Sequence, residues 1–249
     1  MTAGTIVLLR HGRTAWNVGK RLQGQSDIPL DEVGRWQAGE AAAALARRVR
    51  ADAVVTSDLV RAVDTARAYA DLIGADVVPD KRLRERAFGL WEGLTGAEVE
   101  QRWPEQYRVW HGGGESDGVP PEGESRRATA DRVAGVITEH AEGLESRQTL
   151  LVVSHGASIT LALTALLGLD PVRWRGLVGL DNAHWSELRR MRGDLTPAWR
   201  IGAHNMGPDF DPHEWHQGPG PEASLDEPGP AEEPSEHPSS DLVPGPKSA

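Results

Sequence analysis

Through residue 206, short runs rich in Val, Ile and Leu alternate with longer stretches of helical pattern. The runs predict strands at 5–9, 53–56, 76–78, 149–154, 183–188 and 199–203; the longer stretches predict helices at 31–50, 58–73, 124–143 and 157–167. The segment Leu150-Leu151-Val152-Val153 is apolar throughout rather than alternating, as in a strand covered on both faces. Strand–helix alternation of this kind predicts an α/β fold of three layers, with a mostly parallel central sheet flanked by helices. Residues 89–121 break the pattern, being rich in Trp, Gly and Pro, and are read as a small, partly helical cap over the sheet's active edge.

Three strand ends carry chemistry. The first run stops in Arg10, His11 and Gly12; the fourth stops in Ser154, His155 and Gly156; the second passes through Ser57 and Asp58, either able to cap the next helix, and places Arg61 in its first turn. Open α/β sheets bind ligands at the carboxyl ends of their strands, so these junctions can share one crevice. Two histidines, two arginines and the amides around Gly156 at a helix start suit a phosphate monoester: Arg10 and Arg61 can grip its oxygens, and the helix start adds N–H donors. A neutral imidazole is a competent nucleophile when its other nitrogen is held by an acceptor. The leaving alkoxide needs a proton, and Glu85 is the best-placed acid, with Glu92 near enough to share the mouth. Ser158 lacks the Gly-x-Ser-x-Gly elbow of a nucleophilic serine and reads as a helix residue.

Composition changes this picture mainly at one end. Residues 207–249 hold ten carboxylates against Lys247, −9 of the formal charge of −10, and ten of the seventeen prolines. They read as a disordered, acidic, Pro-rich tail with an unknown partner or none, and removing them is expected to leave phosphate chemistry intact. The remaining body, residues 1–206, is nearly neutral and offers no bulk basic field for nucleic acid. The absence of cysteine excludes disulfides and thiolate chemistry. With no leader pattern and no apolar run of membrane-spanning length, a cytoplasmic protein without membrane partners is expected.

These blocks resemble the histidine phosphatase superfamily, in the branch of the cofactor-dependent phosphoglycerate mutases and related phosphatases. The resemblance runs over roughly residues 5–205. Its carriers are Leu9-Arg-His-Gly-Arg-Thr-Ala-Trp-Asn17 with Arg21 and Gln23-Gly24, then Ser57-Asp-Leu-Val-Arg61, Leu83-Arg-Glu85, Glu122-Gly-Glu-Ser125 and Val153-Ser-His155-Gly156. It implies that His11 is transiently phosphorylated, that Arg10, Arg61 and His155 enclose the phosphoryl group, and that Asn17 adds a hydrogen bond at the rim. Glu85 would protonate the leaving oxygen and then help activate water. No metal and no cofactor is implied, and no dense ligand spacing such as His-Glu-x-x-His is present. Thr14, Gln23 and Gly24 are candidates for lining the pocket, ordinary loop hydrogen bonding being the equal alternative.

The partner implied is a small-molecule phosphomonoester, and a homodimer is left open. The mutase subgroup carries a longer cap with a basic stretch and a proline run; here the cap has Trp103, Tyr107, Arg108, Trp110 and His111, then only Pro120-Pro121. That favours a hydrolase. Arg21-Leu-Gln-Gly-Gln-Ser-Asp27 and Asp181-Asn-Ala-His-Trp-Ser186 are similar to actinobacterial glucosyl-3-phosphoglycerate phosphatases. A 2,3-bisphosphoglycerate-dependent mutase and a broad sugar or nucleotide phosphatase stand as the alternatives. Trp110 or Trp103 is a candidate sugar platform, packing being the commoner role of such a side chain. Arg126 and Arg127 are candidates for a substrate carboxylate, against an equal expectation of solvated helix arginines.

Overall fold

The computed structural model describes residues 2–112, 117–193 and 195–219, and contains a six-stranded sheet in the order β3-β2-β4-β1-β5-β6. Strands β1 (Thr5–Arg10), β2 (Ala53–Thr56), β3 (Val77–Pro79) and β4 (Thr149–Ser154) are parallel. β5 (Trp185–Arg190) is antiparallel to both its neighbours, β1 and β6 (Trp199–Met206). The expected α/β, three-layer, mostly parallel architecture is therefore present, and one reversed strand makes the sheet mixed.

Alternate residues of the central strands enter two separate cores. On one face Ile6, Leu8, Leu150 and Val152 pack with Val133, Val136 and Ile137 of α6 (Arg126–Glu142) and Ile159 and Leu163 of α7 (Gly156–Leu166). On the other, Val7, Leu9, Leu151 and Val153 meet Ala42 and Leu45 of α2 (Glu32–Ala46) and Ala62, Ala66 and Tyr69 of α3 (Val60–Ile73). Burial on both faces is why these strands are continuously apolar. Asp31 caps α2, accepting from the Gly34 amide at 2.7 Å, and Ser125 caps α6. Helix α3 differs from expectation: its cap position is Leu59, and neither Ser57 nor Asp58 fills it. A leucine side chain cannot accept a hydrogen bond, so the Val60 amide donates instead to Asp27 Oδ1 at 2.8 Å, from a distant loop, while Asp58 pairs with Arg84.

The excursion at 89–121 contains a 3₁₀ turn, Gly89–Trp91, then α4 (Gly96–Arg102) and α5 (Pro104–Gly112). Its small core is Phe88, Trp91 and Val99, flanked by Trp103, Tyr107 and Trp110. The single-turn helix α1 (Ala15–Val18) follows the first strand end.

The expected domain end at 206 needs correction. Residues beyond it form α8 (Pro212–Gln217), capped by Asp211, with Trp215 buried against Trp36 and Phe210. Composition averaged over the tail hid this anchor: one indole in a prepared pocket outweighs the polar residues around it. Deleting 207–249 removes a folded element and not only a tail. The acidic, Pro-rich stretch from 220 onward lies outside the described residues.

Candidate active site

The register of the sheet builds the site. Arg10 pairs with Ser154 in the β1–β4 ladder, so the two strands end level and the next residues, His11 and His155, emerge side by side. The His11 amide donates to the Ser154 carbonyl at 3.0 Å, and the two imidazole centroids lie 5.2 Å apart. Both rings are buried. Burial, with Arg61 the next cause for both and Arg10 a further one, holds each imidazole well below its ordinary pKa, and both are neutral near pH 7. His11 Nδ1 lies 2.7 Å from the Gly12 carbonyl oxygen. A carbonyl only accepts, so Nδ1 carries the proton and Nε2 keeps its lone pair. Neither ring nitrogen of His155 has a partner in the protein.

The turn holding His11 is drawn tightly onto α2. A Cβ at Gly12 would stand 2.3 Å from the Gly34 carbonyl oxygen, so backbone packs directly on backbone there. Arg61 is buried in the first turn of α3, its guanidinium donating to the carbonyls of Ser26 (2.8 Å) and Gly24 (2.9 Å). Burial lowers its pKa to about 10, with Glu85 opposing, and it remains a cation. Arg10 donates to the Leu180 carbonyl, and burial lowers its pKa too. The Nε atoms of both arginines are buried without a protein partner.

Glu85 reaches this group from the other side, its charge acting on both Arg10 and Arg61. Its carboxylate accepts from the amides of Ser158 (2.8 Å), Arg86 (2.8 Å) and Ala157 (3.1 Å). Two of the helix-start amides around Gly156 expected to face the phosphate therefore hold Glu85 instead; a carboxylate is drawn to that N-terminus for the same reason a phosphate would be. Ser158 Oγ donates to the Arg84 carbonyl, as a helix residue and not a nucleophile. The charge of Glu92 also acts on Arg61, but its oxygens accept from the amides of Gln25, Ser26 and Phe88 and from Ser26 Oγ, clamping the loop that carries Gly24.

The remaining candidates divide. Thr14 is buried as the cap of α1, exchanging hydrogen bonds with Asn17, and Asn17 Oδ1 accepts from Thr14 and from Asn182 Nδ2 (3.3 Å). Both carry loop architecture. Gly24 supplies its carbonyl to Arg61 at φ +50°, where a Cβ would strike Glu92. Gln23 Oε1 is buried and without a protein partner. Gly156 lies against Arg10, with room for ordinary contact. Trp110 packs edge-on to Phe88 and Trp91, and Trp103 beside Trp91, so both belong to the cap's own core. Arg126 Nε donates to the Pro171 carbonyl, and its side chain lines a cavity with Gly156 and Ala157, whereas Arg127 is exposed and pairs with Asp170.

Asn182, which the sequence marked only as part of the 181–186 block, has a place at the site. Its Nδ2 donates to the His11 carbonyl (3.1 Å) and to Asn17, and its own carbonyl accepts from Trp215 Nε1 (3.0 Å). Apart from that resemblance, the local pattern is an Asp-Asn pair before a strand, common in turns of every kind and assigning no role to the side chain. Among the described residues, no group of three or more His, Asp or Glu side chains is disposed to hold a metal ion, and no helix is long and apolar enough to cross a membrane.

A largely parallel α/β sheet that presents two neutral histidines and two buried arginines at its carboxyl edge defines a protein built to hold an oxyanion beside an imidazole. The histidine phosphatase superfamily (branch 1) matches residues 6–200, and the chain belongs to that superfamily. It is 38% identical over 218 residues to a glucosyl-3-phosphoglycerate phosphatase of Mycolicibacterium vanbaalenii, spanning 82% of this chain and 96% of the relative. The solved mycobacterial glucosyl-3-phosphoglycerate phosphatase in complex with VO3 superposes with a TM-score of 0.71 at 36% identity, over 81% of this chain and 98% of that one. A probable phosphoglycerate mutase of Yersinia enterocolitica is 39% identical over 171 residues, 67% of this chain and 76% of the relative.

Proposed function

We propose that this protein is a phosphoric monoester hydrolase working through a phosphohistidine on His11, with glucosyl-3-phosphoglycerate as its substrate. The observation that carries the chemistry is the His11 Nδ1 contact to the Gly12 carbonyl, which leaves a neutral ring with Nε2 free to attack. In the first step, which starts with Glu85 in its carboxylic acid form, Nε2 forms a bond to phosphorus, the P–O ester bond breaks in line, and the leaving oxygen takes the Glu85 proton. In the second, water attacks phosphorus, gives a proton to the Glu85 carboxylate, and the N–P bond breaks to release phosphate. Arg10, Arg61 and His155 neutralise and position the phosphoryl oxygens, so the step as written draws its charge stabilisation from side chains. The substrate rests on the relatives of that name, which match this chain across nearly their whole length.

Release of inorganic phosphate in the presence of EDTA from glucosyl-3-phosphoglycerate, 3-phosphoglycerate, sugar phosphates, nucleotides and p-nitrophenyl phosphate tests this reading. The expected result is a strong preference for the first and no turnover by His11→Ala. Full activity of His11→Ala would end the mechanism. The similarity to a probable mutase sustains one second reading, which requires dependence on 2,3-bisphosphoglycerate and exchange between 2- and 3-phosphoglycerate.

A further inference from the structure

The first turn of α7 has a second side. Away from the histidines, Gly156, Ala157 and Thr160 line a cavity of about 310 Å³ with Arg126, Trp174 and Arg175. The cavity shares this wall with the site above: Gly156 lies against Arg10, and the Ala157 amide holds Glu85. An alcohol leaving phosphorus beside Glu85 therefore has this cavity as its neighbour.

Two guanidinium groups, that of the half-buried Arg126 and that of the exposed Arg175, line this cavity. Among the described residues, Arg82, Arg84, Arg127 and Arg132 each have a carboxylate within ion-pair distance, and Arg126 and Arg175 have none. Arg126 is half-buried and anchored through Nε to the Pro171 carbonyl, while the nearby Asp117 carboxylate is taken up by the backbone amides of Arg126 and Arg127. Arg175 makes a long contact to the Trp110 carbonyl, 3.5 Å. The pKa of Arg126 is lowered by burial first and by the charge of Arg175 next, with the Asp117 carboxylate opposing, so the two guanidinium groups are close enough to feel each other. An anion entering the cavity can be shared by both cations, and guanidinium forks suit a carboxylate.

We infer that Arg126 and Arg175 together bind a carboxylate on the leaving alcohol, making the enzyme selective for phosphomonoesters of hydroxy acids, with Trp174 as the apolar wall beside it. The inference rests on the phosphatase reading. Arg175 and Trp174 carried no signal in the sequence; only the fold brings them to α7.

The test compares 3-phosphoglycerate with glycerol 3-phosphate, which has a hydroxymethyl group in place of the carboxylate. The expected wild-type protein favours the former in kcat/KM. Arg175→Met and Arg126→Met each lower that preference about 30-fold, the scale of one charge-assisted hydrogen bond, and Arg126→Lys retains more of it than Arg126→Met. A wild-type protein with no preference, or variants that weaken both substrates alike, would overturn the inference while leaving the hydrolase intact. Equilibrium binding of the same two compounds to His11→Ala makes the comparison without turnover. If neither these two nor glucosyl-3-phosphoglycerate and the other phosphomonoesters above are hydrolysed, but 3-phosphoglycerate binds more tightly and loses that advantage in the arginine variants, the hydrolase reading fails and the carboxylate site stands.

Discussion

His11 and His155 are polar groups placed where an unfolded chain would let them ionise and the folded chain does not. Both have pKa values well below the ordinary 6.5, chiefly through burial. Above that pH both states are neutral and the folded protein keeps its full stability. As pH falls below 6.5 the unfolded chain takes up protons that the folded chain refuses, so stability drops by about 1.4 kcal/mol per pH unit for each histidine. Urea midpoints between pH 7.5 and 5 should therefore fall steeply, and His155→Gln should have a visibly shallower slope; an unchanged slope would contradict the buried neutral state. Arg10, His11, Arg61 and His155, the candidates that the fold brings together, were legible because cations and imidazoles at strand ends are rare. Glu85 is preferred to Glu92 from its place after the third strand, but what separates them was not legible: hydrogen bonding holds one carboxylate at the start of α7 and sets the other to clamp a loop.

At the scale of elements, the apolar runs marked every strand, with small displacements. The fifth begins at Trp185 instead of 183 because Asn182 and Ala183 form the bend that meets His11, Ala183 at φ +57° and donating to the His11 carbonyl. Helix α8 was hidden by the prolines and carboxylates around it, although Asp211-Pro212 is a good helix start ahead of Trp215. Its indole reaches the site through Asn182, and the Gln37 amide donates to the Trp215 carbonyl at 2.7 Å. Trp215→Ala should cost about 3–5 kcal/mol in denaturant unfolding, as expected for a buried tryptophan. A chain ending at 206 should lose activity as well, whereas one ending at 219 should match the full length. Equal activity for all three lengths would show that α8 does not support the His11 turn.

In the whole molecule, the parallel strands bring residues far apart in the chain to one edge: His11, Arg61, Glu85 and His155 each follow a different strand. That convergence could be read from the order of strands and helices, but the occupant of the space beyond it could not. The cap's tryptophans, attractive as a sugar platform, are mostly engaged with one another, while the cavity beside α7 draws Arg126 and Arg175 from segments with no shared pattern. The central claim is covalent catalysis by His11, and trapping the intermediate tests it most directly. Protein mixed with 32P-labelled substrate and denatured at alkaline pH within a turnover should carry label on a peptide containing His11, stable to base, released by acid and absent from His11→Ala. Turnover with no labelled protein at any quench time, together with an active His11→Ala variant, would contradict the account.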